Sequence, residues 1–457
     1  MVFFFGSEIK FIKSLCKKKF EVSQNQIQKN IFLGYKSLNK SNSTFYKDII
    51  SLESSSNILI DLDLNLIKKR YWKPKLDIDQ NMNINDAING VKNNLVKSLE
   101  LRMRSDVPIA FCLSGGVDSS LLASHAKKTF NKEISTFSII DKDPRYDESE
   151  NIRCVIDDLK CNNELIRMNN DESLFFDRLK VLTNYHDGPI ATLTYYIHSF
   201  LSESISKQNF KVAISGTGAD ELFTGYYDHF LLHFETLKDT KYLSPKIESW
   251  EKFILPNIRN PHLQKSKLYI DEPDNRDLVY EKNFGISQYS INEVEQKFSE
   301  ENYCDELLRK RMMNELFHEV VPVILKHDDL NSMYYSIENR SPYLDRDLLE
   351  FALTIPPHLL IENGLQKKIL RDSGEGILID KVRLSKQKKG FNASINSIIN
   401  LNDLNVLDYI FDTNSPIAEY VDLLKLRKDL NIKFIPNHLS KLIFSIISTN
   451  FFLESNN

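Results

Sequence analysis

A short apolar run, Pro108-Ile-Ala-Phe-Cys-Leu113, passes without a break into Ser114-Gly-Gly-Val-Asp-Ser-Ser120 and then Leu121-Leu-Ala-Ser-His-Ala126. No other feature of the 457 residues constrains the fold as strongly. The pattern reads as a buried strand, a Gly-rich loop and the start of a helix. It recurs more weakly at Lys211-Val-Ala-Ile214, which runs into Ser215-Gly-Thr-Gly-Ala-Asp220. A further strand-like run is Ile134-Ser-Thr-Phe-Ser-Ile-Ile140. Strands separated by helical stretches predict βαβ units and a parallel sheet. Ligands of such sheets sit at the carboxyl ends of the strands, where both Gly-rich loops fall.

The loop chemistry narrows the ligand. Glycines let backbone N–H groups approach an anion, and a helix N-terminus adds its positive dipole end. The hydroxyls of Ser114, Ser119 and Ser120 can donate to phosphate oxygens. Asp118 would repel a phosphate unless a cation lies between them, so it argues for Mg²⁺. Asp220, in the second loop, is the candidate second ligand. A Walker loop needs Gly followed by Lys, and no Gly here is; no GxGxxG fingerprint occurs either.

Composition excludes several classes. Lys and Arg number 59 against 63 Asp and Glu, a net charge of −4, so the global basic field of a nucleic-acid binder is missing. Hydrophobic residues at 42% suffice for a full core. Five cysteines form no disulfide framework and fit a reducing compartment. No apolar run reaches a membrane span, and Met1-Val-Phe-Phe-Phe-Gly6 lacks the basic flank of a signal peptide, so a cytoplasmic protein is expected.

Along the chain, Ile58 to Leu66 alternates apolar and acidic residues and predicts one half-exposed strand, ended by Tyr71-Trp72-Lys-Pro74. A polar linker follows through Asn85. Asp86 is read as the cap of a helix with Ala87, Val91, Leu95 and Leu99 on one face. Residues 228–310 read as an insertion, helical at its end. Residues 361–391 are rich in Lys and Arg, among them Lys367, Lys368, Arg371, Lys386 and Lys388. His186, His198 and His327 lack ligand spacing and read as ordinary side chains; Cys112, on the strand before the loop, reads as a core residue.

Ser114–Ser120 resembles the pyrophosphate-binding loop of the asparagine synthetase family, B type, within the ATP pyrophosphatases. Further matches fall in family order. They are Phe137-Ser-Ile with Tyr146-Asp-Glu148, Ser215 to Tyr226, Asp328 to Met333, Ser336 to Asp345, Lys368-Ile-Leu-Arg371 and Lys386 to Phe391. The resemblance implies an α/β fold: a parallel-sheet, adenine nucleotide alpha-hydrolase-like synthetase domain over 86–400, with the 228–310 insertion. It also implies a helical extension over 401–457 and, over 1–75, a small β-rich remnant of a glutaminase domain. It implies ATP and Mg²⁺ as cofactors and adenylation of a carboxylate, followed by attack of ammonia. Ser114, Gly115, Gly116, Asp118, Ser119, Ser120, Ser138, Ser215 and Gly216 are implied to bind ATP, and Asp118 and Asp220 to hold the metal. Lys388 is implied to stabilise charge as the adenylate forms.

Two departures qualify the resemblance. Thr217 stands where family members carry a Glu thought to take a proton from ammonia, and Thr is no general base at neutral pH. Relatives that make β-lactams have Tyr there with a carboxylate from another segment, a role Asp328 is placed to fill. Val2 stands where glutamine-dependent members have their nucleophilic Cys, while Phe5-Gly-Ser-Glu-Ile-Lys10 resembles a segment late in the glutaminase domain. Most of that domain is therefore expected to be missing, with no glutaminase activity. The expected partners are a small carboxylate acceptor and ammonia, with a separate glutaminase subunit and a homodimer as further options. Nucleic acid and membrane are not expected partners. The alternative functions are an intramolecular amide-forming ligase, such as a β-lactam synthetase or lasso-peptide cyclase, and an inactive partner subunit.

Overall fold

The computed structural model describes residues 2–456 apart from 142, 144–146, 168–171, 278–279, 281–283, 295–297, 388–394 and 431–434. Its centre is a five-stranded sheet of β3 (Ile109–Cys112), β4 (Ser135–Ile140), β5 (Asn162–Arg167), β6 (Val212–Ile214) and β7 (Glu338–Arg340). The spatial order is β5-β4-β3-β6-β7, and every neighbouring pair is parallel. The order reverses at β3, so a crevice opens between the carboxyl ends of β3 and β6, the switch point where such sheets bind ligands. Both predicted Gly-rich loops leave the sheet there.

The three strands predicted from apolar runs form the middle of the sheet. The edges, β5 and β7, carry Asn-Asn-Glu and Glu-Asn-Arg. Only a strand covered on both faces reads as a continuous apolar run. On β7, Arg340 pairs with Glu338 (Nε to Oε1, 2.7 Å) and donates to the carbonyls of Arg102 and Arg104. This contact pins the edge strand to the end of the preceding helix.

That helix, Ile84–Arg102, buries Ala87, Val91, Leu95 and Leu99 as the spacing predicts. Its cap is Asn83, not Asp86: the Asn83 side chain accepts from the Asp86 N–H at 3.0 Å. Asp86 sits in the first turn, where its charge suits the helix dipole.

Residues 56–70 also depart from expectation. Instead of one strand they form an antiparallel hairpin, β1 (Ser56–Ile60) with β2 (Leu66–Arg70). Asp61 turns the chain by accepting from the N–H groups of Asp63 and Asn65, and Leu64 takes φ 63°. Both strands stay exposed, Leu59 at 64% and Ile67 at 60%. Elsewhere in 1–75 the regular elements are short helices, at Ile9–Cys16, Gln24–Gln28 and Lys29–Leu33, joined by turns and irregular stretches. Val2 to Phe5 are exposed and belong to no strand.

Two large apolar cores result. The first covers one face of the sheet and takes in the helix that follows β3. It includes Phe230, Leu231, Phe234, Trp250 and Ile254, so the stretch read as an insertion is built into the main core. The second joins Phe20, Ile27, Ile31 and Phe32 to the C-terminal helix Asn437–Glu454. Asn30 and Thr449 hydrogen-bond across it at 3.1 Å. Among the described residues, no helix is long and apolar enough to cross a membrane.

Candidate active site

Helix Val117–Ser124 starts directly after the β3 loop, with Gly116 at its N-cap. Gly115 has φ +79°, a conformation open to glycine, and a Cβ there would press on Asn151 and Ile152 at 3.1 Å. The loop closes on itself: the Ser119 Oγ accepts from the Ser114 N–H at 3.1 Å, and the Ser114 Oγ accepts from the Gly116 N–H at 3.3 Å. Tyr343, fully buried, donates its hydroxyl to the Asp118 carbonyl at 3.0 Å. That contact explains the Ser-Pro-Tyr-Leu-Asp segment in this chain: it braces the loop from below.

The β6 loop lies against the first. A Cβ at Gly216 would meet Asp118 Cβ and the Ser119 nitrogen at 3.0 Å, so only glycine lets the loops pack this closely. The Asp220 carboxylate rests on Gly225, where a methyl group would overlap Oδ1. Asp118 and Asp220 are then joined by one cation. Lys367 Nζ lies 2.6 Å from Asp118 Oδ2 and 2.5 Å from Asp220 Oδ1. Burial opposes the Lys367 charge, but the two carboxylates outweigh it and raise its pKa. Lys367 itself adopts φ 56°, with its N–H donating to Thr224 Oγ1.

Two cavities meet at Ser114 and Asp118. One, of about 210 Å³, is lined by Gly115, Gly116, Asp220, Lys367, Arg371 and Lys386 among others. Burial lowers the Arg371 pKa to about 10, with Asp118 and Asp220 opposing the shift. The second, of about 230 Å³, has apolar walls from Phe137, Ile139, Leu201, Ile205 and Ala213 and a polar rim from Ser119, Ser215, Gly216, Thr217, His198 and Asp328. Cys112 also lines it; burial, then the charge of Asp328, pushes its thiol up to about 12, so it is no nucleophile at neutral pH.

The structure thus gathers Ser114, Gly115, Gly116, Asp118, Ser119, Ser215, Gly216, Asp220 and Asp328 at one crevice. Ser120 is fully buried and Ser138 nearly so, and neither lines these cavities. The Ser138 hydroxyl donates to Asn163 Oδ1 at 3.0 Å, because its neighbours Phe137 and Ile139 face the cavity and alternation turns Ser138 away. Lys388 lies outside the described residues, as does Tyr146. Two residues escaped the sequence reading. Lys367 immediately precedes the quoted Lys368-Ile-Leu-Arg371 and was only one of many basic residues. His198 read as an ordinary histidine, yet its Nδ1 lies 2.8 Å from Asp328 Oδ1. His186 and His327 do pair blandly, Nδ1 to Nδ1 at 3.2 Å, and burial pushes the His186 pKa down to about 3.

The donor set fits Mg²⁺. Two carboxylates already enclose a cation, and Asp118 Oδ1 is buried without a hydrogen-bond partner. A second carboxylate cluster, Asp228, His229 and Glu315, does not fit a metal. Arg311 Nε already lies 3.1 Å from Glu315 Oε1 and 3.9 Å from Asp228 Oδ2, and Lys36 Nζ lies 3.5 Å from Glu315 Oε1. Burial opposes the Glu315 charge, but Arg311, His229 and Lys36 together hold its carboxyl below the usual range.

Comparison with known families decides the lineage: asparagine synthase matches residues 90–433. The chain belongs to the asparagine synthase family. It is 25% identical to asparagine synthetase [glutamine-hydrolyzing] 1 of Bacillus subtilis over 397 residues, covering 82% of this chain and 61% of that protein. Identity reaches 30% over 230 residues with a putative asparagine synthetase 2 of Methanocaldococcus jannaschii, covering 50% of this chain and 43% of the relative. With asparagine synthetase 2 of Bacillus subtilis it is 27% over 397 residues, 81% of this chain and 48% of the relative. The matched stretch therefore spans between 43% and 61% of the length of these family members, less than two thirds of each.

Proposed function

We propose that the chain is an ATP-dependent amide-forming ligase that adenylates a carboxylate, aspartate or a related acid, and transfers ammonia to it, releasing AMP and pyrophosphate. The observation that carries this reading is the drawing together of Asp118 and Asp220 around one cation, at the mouth of a glycine loop on the sheet's switch point. The β3 loop and its helix N-terminus bind the β- and γ-phosphates. Asp118 and Asp220 hold Mg²⁺, which neutralises charge on the pyrophosphate when bound. Lys367 and Arg371 add positive charge along the same wall. The apolar cavity takes the base, away from water. The acceptor carboxylate attacks the α-phosphorus; its oxygen forms the new P–O bond as pyrophosphate leaves. Lys388 stabilises the charge that develops there.

Thr217 on the cavity rim favours a second reading, intramolecular amide formation, because position 217 offers no carboxylate to an incoming ammonia. Its product would be one water lighter than its substrate.

The test is pyrophosphate release from Mg-ATP with aspartate, comparing ammonium with glutamine and identifying the amide by mass. Asparagine from ammonium supports the first reading. Asp118→Ala removes adenylation with the fold intact, and Lys388→Ala lowers turnover while ATP binding stays nearly unchanged. Pyrophosphate release persisting in Asp118→Ala would refute the site. Absence of ATP binding in the wild type would point to the inactive-partner alternative.

A further inference from the structure

We propose that His198, held by Asp328, takes the proton from the attacking amine in the amide-forming step. The inference rests on the ligase reading above.

Helix Leu193–Lys207 carries His198 and helix Val321–Tyr334 carries Asp328. They meet at the rim of the apolar cavity, Nδ1 to Oδ1 at 2.8 Å, with side chains 27% and 10% exposed. Both line the cavity that also holds Asp118, Ser119, Gly216 and Thr217, so they border the space where an acyl-adenylate carbonyl would lie. The Tyr195 ring stands edge-on to the imidazole at 6.0 Å and helps fix its plane.

The chemistry requires a base at this point. As the amine nitrogen attacks the acyl carbon, the new C–N bond leaves the nitrogen positive. The bond from carbon to the phosphate oxygen breaks and AMP departs with its electron pair. The proton must leave nitrogen as this happens, or the amine is expelled instead. Thr217 cannot take it at neutral pH. Asp118 is engaged with Lys367, and the Cys112 thiol is held protonated. Among the described residues lining this cavity, that leaves the His198–Asp328 pair. A carboxylate accepting from Nδ1–H sets the tautomer in which Nε2 is the basic nitrogen, the same logic by which an aspartate orients a catalytic histidine elsewhere. His198 is the catalytic residue in this assignment. Asp328 is a positioning residue.

The two half-reactions separate the roles. With aspartate as the probe acceptor, pyrophosphate–ATP exchange reports adenylation alone, and amide formation with ammonium reports the whole reaction. His198→Gln should keep exchange within about twofold and lose amide formation on the order of 100-fold, the usual contribution of general base catalysis. In His198→Gly, added imidazole should restore part of the amide formation. Asp328→Asn should lower amide formation and spare exchange. Exchange and amide formation falling together in His198→Gln would instead make the pair a nucleotide-holding contact and overturn the proposal. So would a wild-type rate of amide formation. Histidine ¹⁵N shifts give an independent reading: His198 with its proton on Nε2, or unmoved by Asp328→Asn, refutes the orientation. A wild type that performs no exchange with aspartate or with any of a panel of related acids refutes the ligase reading itself, and the proposal with it.

Discussion

Lys367 occupies the space between the two proposed metal ligands, and replacing it with methionine tests that arrangement directly. Lys367→Met keeps the aliphatic bulk and removes the charge. Each ion pair, at 2.6 and 2.5 Å, is worth on the order of 6 kcal/mol in Coulomb attraction at an effective dielectric of about 20. Desolvation of the ammonium and two carboxylates consumes most of that. Breaking a buried pair from one side leaves about 3–5 kcal/mol of destabilisation. Both carboxylates keep some exposure, 20% and 26%, which favours the lower end, about 3 kcal/mol. A divalent ion should replace the missing charge. At a concentration one hundred times its dissociation constant it returns about 2.7 kcal/mol. Urea unfolding without Mg²⁺ should therefore show the variant well below wild type, and saturating Mg²⁺ should close most of the gap. Mg²⁺ should also bind the variant more tightly, since it no longer competes with an ammonium. Weaker Mg²⁺ binding in Lys367→Met, or an undiminished gap at saturation, would refute the view that lysine and metal share these carboxylates.

Three further perturbations follow from the same geometry. Gly225→Ala should push the Asp220 carboxylate off its seat and lower adenylation on the order of 100-fold while circular dichroism stays unchanged; a wild-type rate would show that the close approach at Gly225 is dispensable. Burial and then the charge of Asp220 raise the Glu221 carboxyl from 4.5 to about 7. Between those values the unfolded chain has released the proton and the folded chain keeps it, so stability falls as pH rises through that window. Glu221→Gln should flatten this slope in urea midpoints measured from pH 4.5 to 7.5, and an unchanged slope would assign it to another group. Replacing the exposed hairpin, residues 56–70, with a short Gly-Ser turn should change stability by less than about 0.5 kcal/mol. A larger loss in thermal unfolding would mean the hairpin packs on something in solution.

The centre of the fold was legible because its signal is local. β3, β4 and β6 lie inside the sheet and read as mainly apolar runs, and the loops after β3 and β6 need glycine for close approach. The edge strands β5 and β7 carry no such demand, so Asn162–Arg167 looked like nothing in particular. The Ser114–Ser120 loop was equally legible, since strand, loop and helix are contiguous. Lys367 was not, for its meaning depends on Asp118 and Asp220, far away in the chain. The same holds for His198, whose partner lies on a helix 130 residues on. Ser138 was legible as a strand residue, while the side it faces depended on a register that only the paired sheet defines.

The division of the chain at residue 75 also dissolves in three dimensions. Lys36 and Lys40 belong to the N-terminal segment, yet their ammonium groups reach Glu315 and Glu319, which are fully buried beside Arg311. Burying that many charges is tolerable only when they are paired, so removing the N-terminal lysines would leave two buried carboxylates sharing the single charge of Arg311. Glu315 also receives His229, and Lys36 stands over the Tyr226 ring, whose hydroxyl donates to Glu221 beside Asp220. Tyr226 accepts in turn from Gln366 through its carbonyl, one residue before Lys367. Residues 20–49 therefore help to set the backbone that holds the two acidic loops, whereas the hairpin after them touches none of this. A chain cut at residue 75 would lose support for its candidate site before it lost any residue of it.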